Sequence, residues 1–324
     1  MVALRFTAAF LLCSSSAAAF AQAPSIQHAR TLFDARNYDA ARAEFAALAR
    51  SSPSDATPVL YLGRIALAEN DNEGGIKQFE RCVEINERNV ECHAWLGNAL
   101  GMAAQHTSKF KLPFLAKRTK REFDRAVELD PNNIDGRMGE LQYYLFAPGF
   151  AGGSIDKARE QAAEIEKFNK LRGAIAFGMI ADHDKNAHDS QVAYERAIAA
   201  SPDSAAGYFG LVNAYARDEK WAEAFQVVDR FQARRPGDPA GFAVLARLAV
   251  MSGQQLARGE GAAKHWLANP PPDVSPNAVA AGHVRLGAIY EKSGRRELAK
   301  GEYEHAVAIN PKSDEAKRAL DGVR

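Results

Sequence analysis

The chain lacks an excess of charge of either sign. Its 324 residues include 41 Lys and Arg against 40 Asp and Glu, a formal net charge of +1. A chain so balanced has no overall electrostatic attraction to nucleic acid or to anionic lipid. The sequence therefore predicts no nucleic-acid partner, and any such attraction would have to be local.

Long apolar segments and catalytic motifs are also missing. Beyond the first residues, no stretch approaches the roughly 18 uninterrupted apolar residues of a membrane helix, so no stable membrane insertion is predicted. His-Glu-x-x-His, Cys-x-x-Cys and Gly-x-Ser-x-Gly are absent. We therefore predict that the chain is not an enzyme and needs no cofactor.

The first 21 residues have the composition of a secretory leader. Arg5 is followed by an apolar run at residues 6–12 and by small residues before Ala21 and Ala23. This order is typical of a signal peptide cleaved after residue 21 or 23, although a disordered N-terminus also fits it. We expect a periplasmic or secreted protein.

Cysteine is scarce. Of three cysteines, only Cys82 and Cys92 follow the leader. In an oxidising compartment an even pair favours a disulfide, and a short turn between two antiparallel helices could bring these sulfurs together. The alternative is a pair of small buried hydrophobic residues.

What the sequence does contain is a repeat. Phe45 and Phe79 lie 34 residues apart, as do Gly63 and Gly97. The fullest unit lies near the C-terminus and carries Leu286, Gly287, Tyr290, Ala299, Tyr303, Ala306 and Pro311. This pattern resembles the tetratricopeptide repeat, a helix-turn-helix unit with small residues where its helices touch. One such pair cannot bury its apolar face alone, so neighbouring pairs must stack on it.

The resemblance implies an all-α fold, a right-handed α-solenoid of about eight helix pairs with a C-terminal capping helix. Residues 24–312 would form the solenoid and residues 313–324 the cap. Small residues would meet aromatic residues in its core: Gly63, Gly97, Gly139, Gly178, Ala246 and Gly287 against Phe45, Phe79, Phe123, Tyr194 and Tyr303.

Two adjacent units are longer than the others. The third gains ten residues in an enlarged turn near 101–120, and the fourth contains PGFAGG in another near 146–154. The first insertion is either a basic, partly apolar patch or an extended helix with Phe110 and Phe114 packed inward. The cations of the patch are Lys109, Lys111, Lys117, Arg118, Lys120 and Arg121. The second is either a binding loop or a loop folded back on its own helices. Candidate partner contacts are Lys109, Lys111, Phe114, Phe146 and Phe150.

The resemblance also implies a partner-binding groove along the first helices. The residues expected to face it are Arg30, Arg64, Asn98, Glu140, Met179, Asn213, Arg247 and Ala288, with Tyr143, Tyr144 and Phe209 nearby. The family's carboxylate clamp needs Lys four residues before Asn, but Ala94 and Phe209 stand at those places. An extended peptide bound by stacking and hydrogen bonds is expected instead.

The densest polar cluster is DHDKNAHDS at residues 182–190. It could hold a divalent metal, but such residues are equally typical of a turn between helices, and we predict no metal site. Taken together, the sequence predicts a non-enzymatic scaffold or adaptor in the bacterial cell envelope that binds a peptide or protein. The alternative is a periplasmic small-molecule carrier whose pocket is formed by the solenoid.

Overall fold

The computed structural model describes residues 25–105, 107–108, 111–271 and 274–323. The predicted leader, Lys109 and Phe110 lie outside these residues. The described chain forms seventeen α-helices, one short 3-10 turn at Gly149–Ala151 and no β-strand. The helices are α1 (Ile26–Asp34), α2 (Tyr38–Ser51), α3 (Ala56–Ala68), α4 (Asn72–Ile85), α5 (Val90–Ala104), α6 (Leu112–Leu129), α7 (Ile134–Phe146), α8 (Ile155–Phe168), α9 (Lys170–His183), α10 (Ala187–Ala200), α11 (Ala205–Arg217), α12 (Trp221–Arg234), α13 (Pro239–Ser252), α14 (Leu256–Ala268), α15 (Pro276–Lys292), α16 (Arg296–Ile309) and α17 (Asp314–Gly322).

Short polar side chains begin most of these helices. The Asp71 carboxylate accepts a hydrogen bond from the Gly74 N–H at 2.9 Å, and the Asn133 side chain accepts one from Gly136 at 2.7 Å. Such caps satisfy N–H groups of the first turn that have no partner within the helix. Because a capping residue recurs at short intervals, the sequence divides into many short helices.

Within a unit, an aromatic ring of the second helix packs where the first helix has no side chain. A Cβ atom on Gly63 would lie 2.5 Å from the Phe79 ring, and one on Gly287 would lie 2.5 Å from the Tyr303 ring. Both rings are almost fully buried. These distances are far below ordinary contact, so the close approach of the two helices requires glycine. The predicted core role of these residues is confirmed.

The units stack so that their first helices form an inner layer. Successive first helices contact one another from α3 through α5, α7, α9, α11 and α13 to α15. Contact of comparable extent is not found between successive second helices in the described chain. The second helices therefore form the outer layer of a curved stack. The predicted all-α solenoid of eight helix pairs is confirmed, and α17 packs on α15 and α16 at its C-terminal end.

The extra residues of the third unit lengthen its helices more than its turn. Helix α5 has 15 residues and α6 has 18, whereas α3 has 13 and α4 has 14. Only residues 105–111 separate α5 from α6, so most of the segment expected as an enlarged turn is helical. Pro113 is acceptable there because it lies in the first turn of α6, and buried residues then recur at Ala116, Thr119 and Phe123.

A disulfide joins Cys82 in α4 to Cys92 in α5, with Cα atoms 5.6 Å apart. Both residues are fully buried beneath the turn that connects the second unit to the third. The bridge therefore links two neighbouring units of the stack covalently.

Replacing both Cys82 and Cys92 by Ala should lower the free energy of unfolding by about 2 to 3 kcal/mol, because a short closed loop is released in the unfolded chain. Urea denaturation measures this difference. Unfolding of reduced wild-type protein is the control, since it loses the bridge but keeps both sulfur atoms. Two free thiols in exported wild-type protein, found by mass spectrometry without reductant, would contradict the prediction.

Candidate binding surface

The inner layer carries most of the predicted groove residues at accessible positions. Arg30, Arg64 and Asn98 on α1, α3 and α5 are partly exposed, and Asn213 on α11 is exposed. The same layer holds Met179, Arg247 and Ala288, which are also partly exposed. Glu140 differs because it is only 7% exposed. Glu140 is therefore the one predicted groove position of the eight that a partner could not reach.

The Arg64 guanidinium lies among three aromatic rings. Its central carbon is 4.6 Å from the centroid of Phe33, 4.7 Å from that of Tyr61 and 5.0 Å from that of Trp95. The Arg30 guanidinium lies 5.3 Å from the Tyr61 ring. These five residues, on α1, α3 and α5, are called the aromatic-arginine cluster below. Contacts between a guanidinium and an aromatic face are attractive and hold the cation in a fixed orientation.

Core rings support this cluster from below. Tyr61 stacks on buried Phe45 with centroids 4.7 Å apart, and Trp95 stacks on buried Phe79 at 6.0 Å. Phe33, Tyr61 and Trp95 were not among the residues predicted from the sequence. The available signal was their spacing of three residues from Arg30, Arg64 and Asn98, which puts each pair on the same helix face.

The arginines of the cluster have no acidic partner within the described residues. The Nε atoms of Arg30 and Arg64 are buried and have no hydrogen-bond acceptor. Neither residue takes part in an ion pair in this part of the chain. The cluster therefore carries positive charge that no acidic residue of the described chain offsets.

The C-terminal part of the inner layer is also basic. Arg247 on α13 donates a hydrogen bond to the Asn213 side chain on α11 at 2.7 Å. Burial, and after it the charge of Arg285, lowers the pKa of Arg247. Neither arginine pairs with an acid among the residues described, so both ends of the inner layer carry uncompensated cations.

Tyr143 and Tyr144 do not project into the groove as predicted, since each is only 8% exposed. The Tyr143 hydroxyl donates to the Ala151 carbonyl oxygen, and the Tyr144 carbonyl accepts a hydrogen bond from the Ser154 N–H at 2.9 Å. The PGFAGG segment thus folds back over the end of α7 and contacts Tyr143, whereas the Tyr144 ring lies against Lys120 and Lys157. Gly153 permits the fold, because a Cβ atom there would lie 1.9 Å from the Ala147 oxygen.

Phe146 at the end of α7 and Phe150 in the PGFAGG segment are nevertheless exposed to solvent. Phe150 is 86% exposed and Phe146 is 71% exposed, with the Phe146 ring 6.0 Å from that of His183. Phe114 at the start of α6 is 73% exposed, so it does not pack inward as the extended-helix alternative required. The 3-10 turn contacts α6, which places the two elaborated segments side by side.

Acidic residues neutralise part of the expected basic patch. Lys111 is exposed at the N-cap of α6. Three of the other cations are paired: Arg118 with Glu80, Lys120 with Asp124 and Arg121 with Glu122. The α6 surface is therefore less cationic than its sequence indicates, and exposed aromatic rings are its main feature.

Comparison with known families agrees with this architecture. Models of the tetratricopeptide repeat match residues 26–89 and 185–239, and a further repeat model matches residues 280–313. These matches fall on the first two units, on the middle of the stack and on the last unit. The chain is a tetratricopeptide repeat protein.

Solved structures of similar path include a tetratricopeptide repeat protein from Parabacteroides merdae ATCC 43184 (13% identity, 83% of this chain and 98% of that chain, TM-score 0.49). PilW, described as a widely conserved type IV pilus biogenesis factor, has 17% identity over 69% of this chain and 98% of its own (TM-score 0.48). PilF of Pseudomonas aeruginosa has 12% identity over 82% and 97% (TM-score 0.41). A comparison with curated proteins finds no match.

In this tetratricopeptide repeat protein the DHDKNAHDS segment forms the turn between α9 and α10. Asp182 accepts hydrogen bonds from the Tyr194 hydroxyl at 2.8 Å and from Arg217 at 2.6 Å. Asp184 pairs with Arg159 at 3.0 Å. These carboxylates bind neighbouring helices, which favours the structural interpretation of the cluster over a metal site.

The carrier alternative requires an enclosed pocket. A cavity of about 240 Å³ lies between α8, α9 and α10, with Arg159, Phe177 and Asp184 in its wall. This volume is below the roughly 300 to 1,000 Å³ of small-molecule sites. A larger depression on α10 is lined by that helix alone and is open to solvent.

Among the described helices, none combines the length and apolar character needed to cross a membrane.

Glu140 lies in a buried polar group between α6 and α7. Burial, and after it the charge and hydrogen bond of Asp124, raises the pKa of Glu140 to about 7, although Lys120 and Arg137 act in the opposite direction. The folded chain thus holds this proton more tightly than the unfolded chain, where the pKa is 4.5. The contribution of Glu140 to the free energy of unfolding is therefore fully present below pH 4.5 and is lost as the pH rises through about 7.

Glu140→Gln should therefore raise the melting temperature at pH 8 by several degrees, at about 2 to 4 °C for each kcal/mol, and change it little at pH 4. Thermal unfolding followed by circular dichroism across this range measures the effect. Glu160→Gln, at an exposed position on α8, is the control and should show no such trend. A Glu140→Gln effect that is the same at every pH would contradict the assignment.

Proposed function

We propose that this tetratricopeptide repeat protein is a non-catalytic scaffold or adaptor of the bacterial cell envelope that binds an extended, acidic segment of a protein partner in its groove. The observation that carries the proposal is the Arg64 guanidinium, held between the rings of Phe33, Tyr61 and Trp95 without an acidic partner in the described chain. Repeats of this family generally mediate contacts between proteins, and their fold is typically non-catalytic.

The chemistry of the cluster suits a carboxylate. A guanidinium that stacks on aromatic rings keeps its N–H edge free and oriented, so it can donate paired hydrogen bonds to an anionic oxygen. Arg30 lies against the same Tyr61 ring from the preceding unit. Two oriented cations on neighbouring helices favour a ligand with more than one acidic group.

The aromatic members give the surface its apolar component. Tyr61 and Trp95 are already stacked on core residues, so little side-chain freedom is lost when a partner covers them. An extended peptide exposes both its backbone and alternating side chains to such a surface. A peptide with acidic and apolar residues therefore matches the groove better than a purely charged ligand.

Two features support an envelope location. The predicted leader at residues 1–21 would direct the chain to the periplasm or out of the cell. The Cys82–Cys92 disulfide is of a kind that persists in oxidising compartments and is rare in the cytosol. A periplasmic or secreted scaffold accommodates both.

The elaborated segments of the third and fourth units supply a second contact surface in this proposal. Phe114, Phe146 and Phe150 are all largely exposed, and their segments adjoin. Exposed rings grouped on a rigid repeat scaffold are typical of protein contact sites. The groove would hold the acidic segment, while these rings would contact the body of the partner.

Arg64→Ala should weaken binding of acidic peptides about tenfold, because a charge-assisted hydrogen bond contributes roughly 1.5 to 3 kcal/mol. The probe is an array of eight-residue peptides rich in Asp, Glu and Leu, paired with versions in which Asn and Gln replace the acids. Arg81→Ala is the matched control, since Arg81 is an exposed arginine on the outer helix α4. Affinities are measured by fluorescence anisotropy.

Arg64→Lys tests the stacking separately, because lysine keeps the charge but loses the planar, paired donors. We expect it to bind more weakly than wild type. Equal binding of acidic and amide peptides by wild type, or equal losses in Arg64→Ala and Arg81→Ala, would refute the groove proposal.

A photo-reactive amino acid at Phe150 should crosslink the same envelope protein as one at Asn98 in the groove, because both surfaces would contact one partner. Incorporation in living cells, followed by mass spectrometry, identifies the adducts. Exposed Lys167 on α8 is the control position. Adducts from Asn98 alone would remove the loop from the binding surface, and adducts from Phe150 alone would remove the groove.

A further inference from the structure

Three side chains of the last unit converge on one point. His283 on α15 and Glu302 and His305 on α16 each place one ligand atom within 4.8 Å of the other two. The His283 Nδ1 atom lies 2.7 Å from a Glu302 carboxylate oxygen, and the two imidazole rings are 5.5 Å apart. We infer that His283, Glu302 and His305 bind a divalent transition-metal ion, with Zn²⁺ as the ion of choice.

The third unit provides an internal comparison, because it has the same pair at the same repeat positions. His93 precedes the contact glycine Gly97 by four residues, as His283 precedes Gly287. Glu122 directly precedes the core ring of its unit, as Glu302 does in the last unit. The histidine-to-carboxylate distances are 2.8 Å and 2.7 Å.

The two pairs differ in the number of hydrogen bonds that the histidine makes and in its exposure to solvent. His93 bonds Glu122 through one ring nitrogen and the Glu87 carbonyl through the other, and its side chain is 7% exposed. His283 has no second bond of this kind in the described chain, and its side chain is 20% exposed. The pair in the third unit is therefore structural and closed, whereas that in the last unit is open to a solvent-borne ligand.

His305, the third residue of the site, distinguishes the last unit from the other units of the chain. The residue two places after the core ring is arginine in several units, whereas it is His305 here. These arginines are Arg81, Arg125 and Arg196, and Arg230 stands at the same repeat position two places after Val228. Arginine stays cationic and repels a metal ion, whereas a neutral imidazole donates an electron pair to it. The exchange changes a cationic position into a ligand position.

Two imidazoles and one carboxylate are a ligand set that suits Zn²⁺ and leaves a fourth position for water or another ligand. In a tetrahedral zinc site with bonds of about 2.0 to 2.1 Å, the ligand atoms lie about 3.3 Å from one another. Here they lie within 4.8 Å, so a modest rotation of the side chains would bring them to the distance that zinc requires. Glu302 and His305 are one helical turn apart, and His283 joins them from the paired helix. The set was not predicted from the sequence, because His283 lies 19 residues from Glu302 on a different helix.

Full-length mature protein, freed of any affinity tag and of metal by chelator treatment, is titrated with ZnCl₂ in a calorimeter. We expect one Zn²⁺ ion per chain. His305→Arg restores the residue usual at this repeat position and should weaken binding at least about 100-fold while leaving the circular dichroism spectrum unchanged. His305→Asn gives the same test without an added charge, in case the arginine disturbs packing.

His28→Ala is the matched control. His28 also bonds a glutamate of its paired helix, Glu44, at 2.6 Å, but Ala47 lies where a third ligand would have to be. Zinc binding should be unchanged in this variant. Absence of binding by wild-type protein at 100-fold molar excess of zinc, or equal affinity in wild type and both His305 variants, would overturn the inference.

Discussion

The structure depends on a contact that recurs in four units, in which an aromatic ring of the second helix packs on a glycine of the first: Phe79 on Gly63, Phe123 on Gly97, Tyr194 on Gly178 and Tyr303 on Gly287. Phe123 shows how tightly it is set, because a Cβ atom on Gly97 would lie 2.6 Å from that ring and one on Gly139 only 2.2 Å. One ring therefore fixes the pairing of α5 with α6 and the docking of the next unit through α7. Since an ordinary side chain at either glycine would push the helices apart, the geometry of the stack follows from these small residues.

This packing determines where function can lie. Rings such as Phe45 and Phe79 fill the space between helices and also form the floor on which Tyr61 and Trp95 stack. Arg64 then occupies the space between rings of three successive units. The aromatic-arginine cluster is therefore a product of the stacking itself, and its geometry is only as fixed as the core beneath it.

The sequence predicted the helix pairs well because their signals are local. A small residue on one helix and a ring on the next fall within a single unit, and the 34-residue spacing repeats that unit along the chain. Contacts between units were harder to foresee. Arg64 meets Phe33 and Trp95, each 31 residues away, and no spacing within a unit indicates that meeting.

The erroneous site predictions have the same origin. Glu140 occupies the groove position of its unit, yet Asp124 and Lys120 on α6 of the preceding unit lie against it, and it is buried. Tyr143 was expected to face a ligand, but the PGFAGG segment supplies the carbonyl that accepts its hydroxyl. In the first case side chains of the neighbouring unit cover the position, and in the second an added segment does.

The histidine-glutamate pairs illustrate how such a scaffold diversifies. In the third unit, burial acts to lower the pKa of His93, but hydrogen bonds to Glu122 and to the Glu87 carbonyl outweigh it, so the pKa is raised. Burial likewise acts against the Glu122 charge, yet the His93 and Arg121 contacts lower the pKa of that carboxyl. The charged forms of both groups are thus favoured by their contact, and the pair is satisfied within the fold. In the last unit the same framework has more solvent around it and His305 in place of arginine. The contact between glycine and aromatic ring is the same in both units. The residues around the histidine-glutamate pair can therefore change without altering the fold.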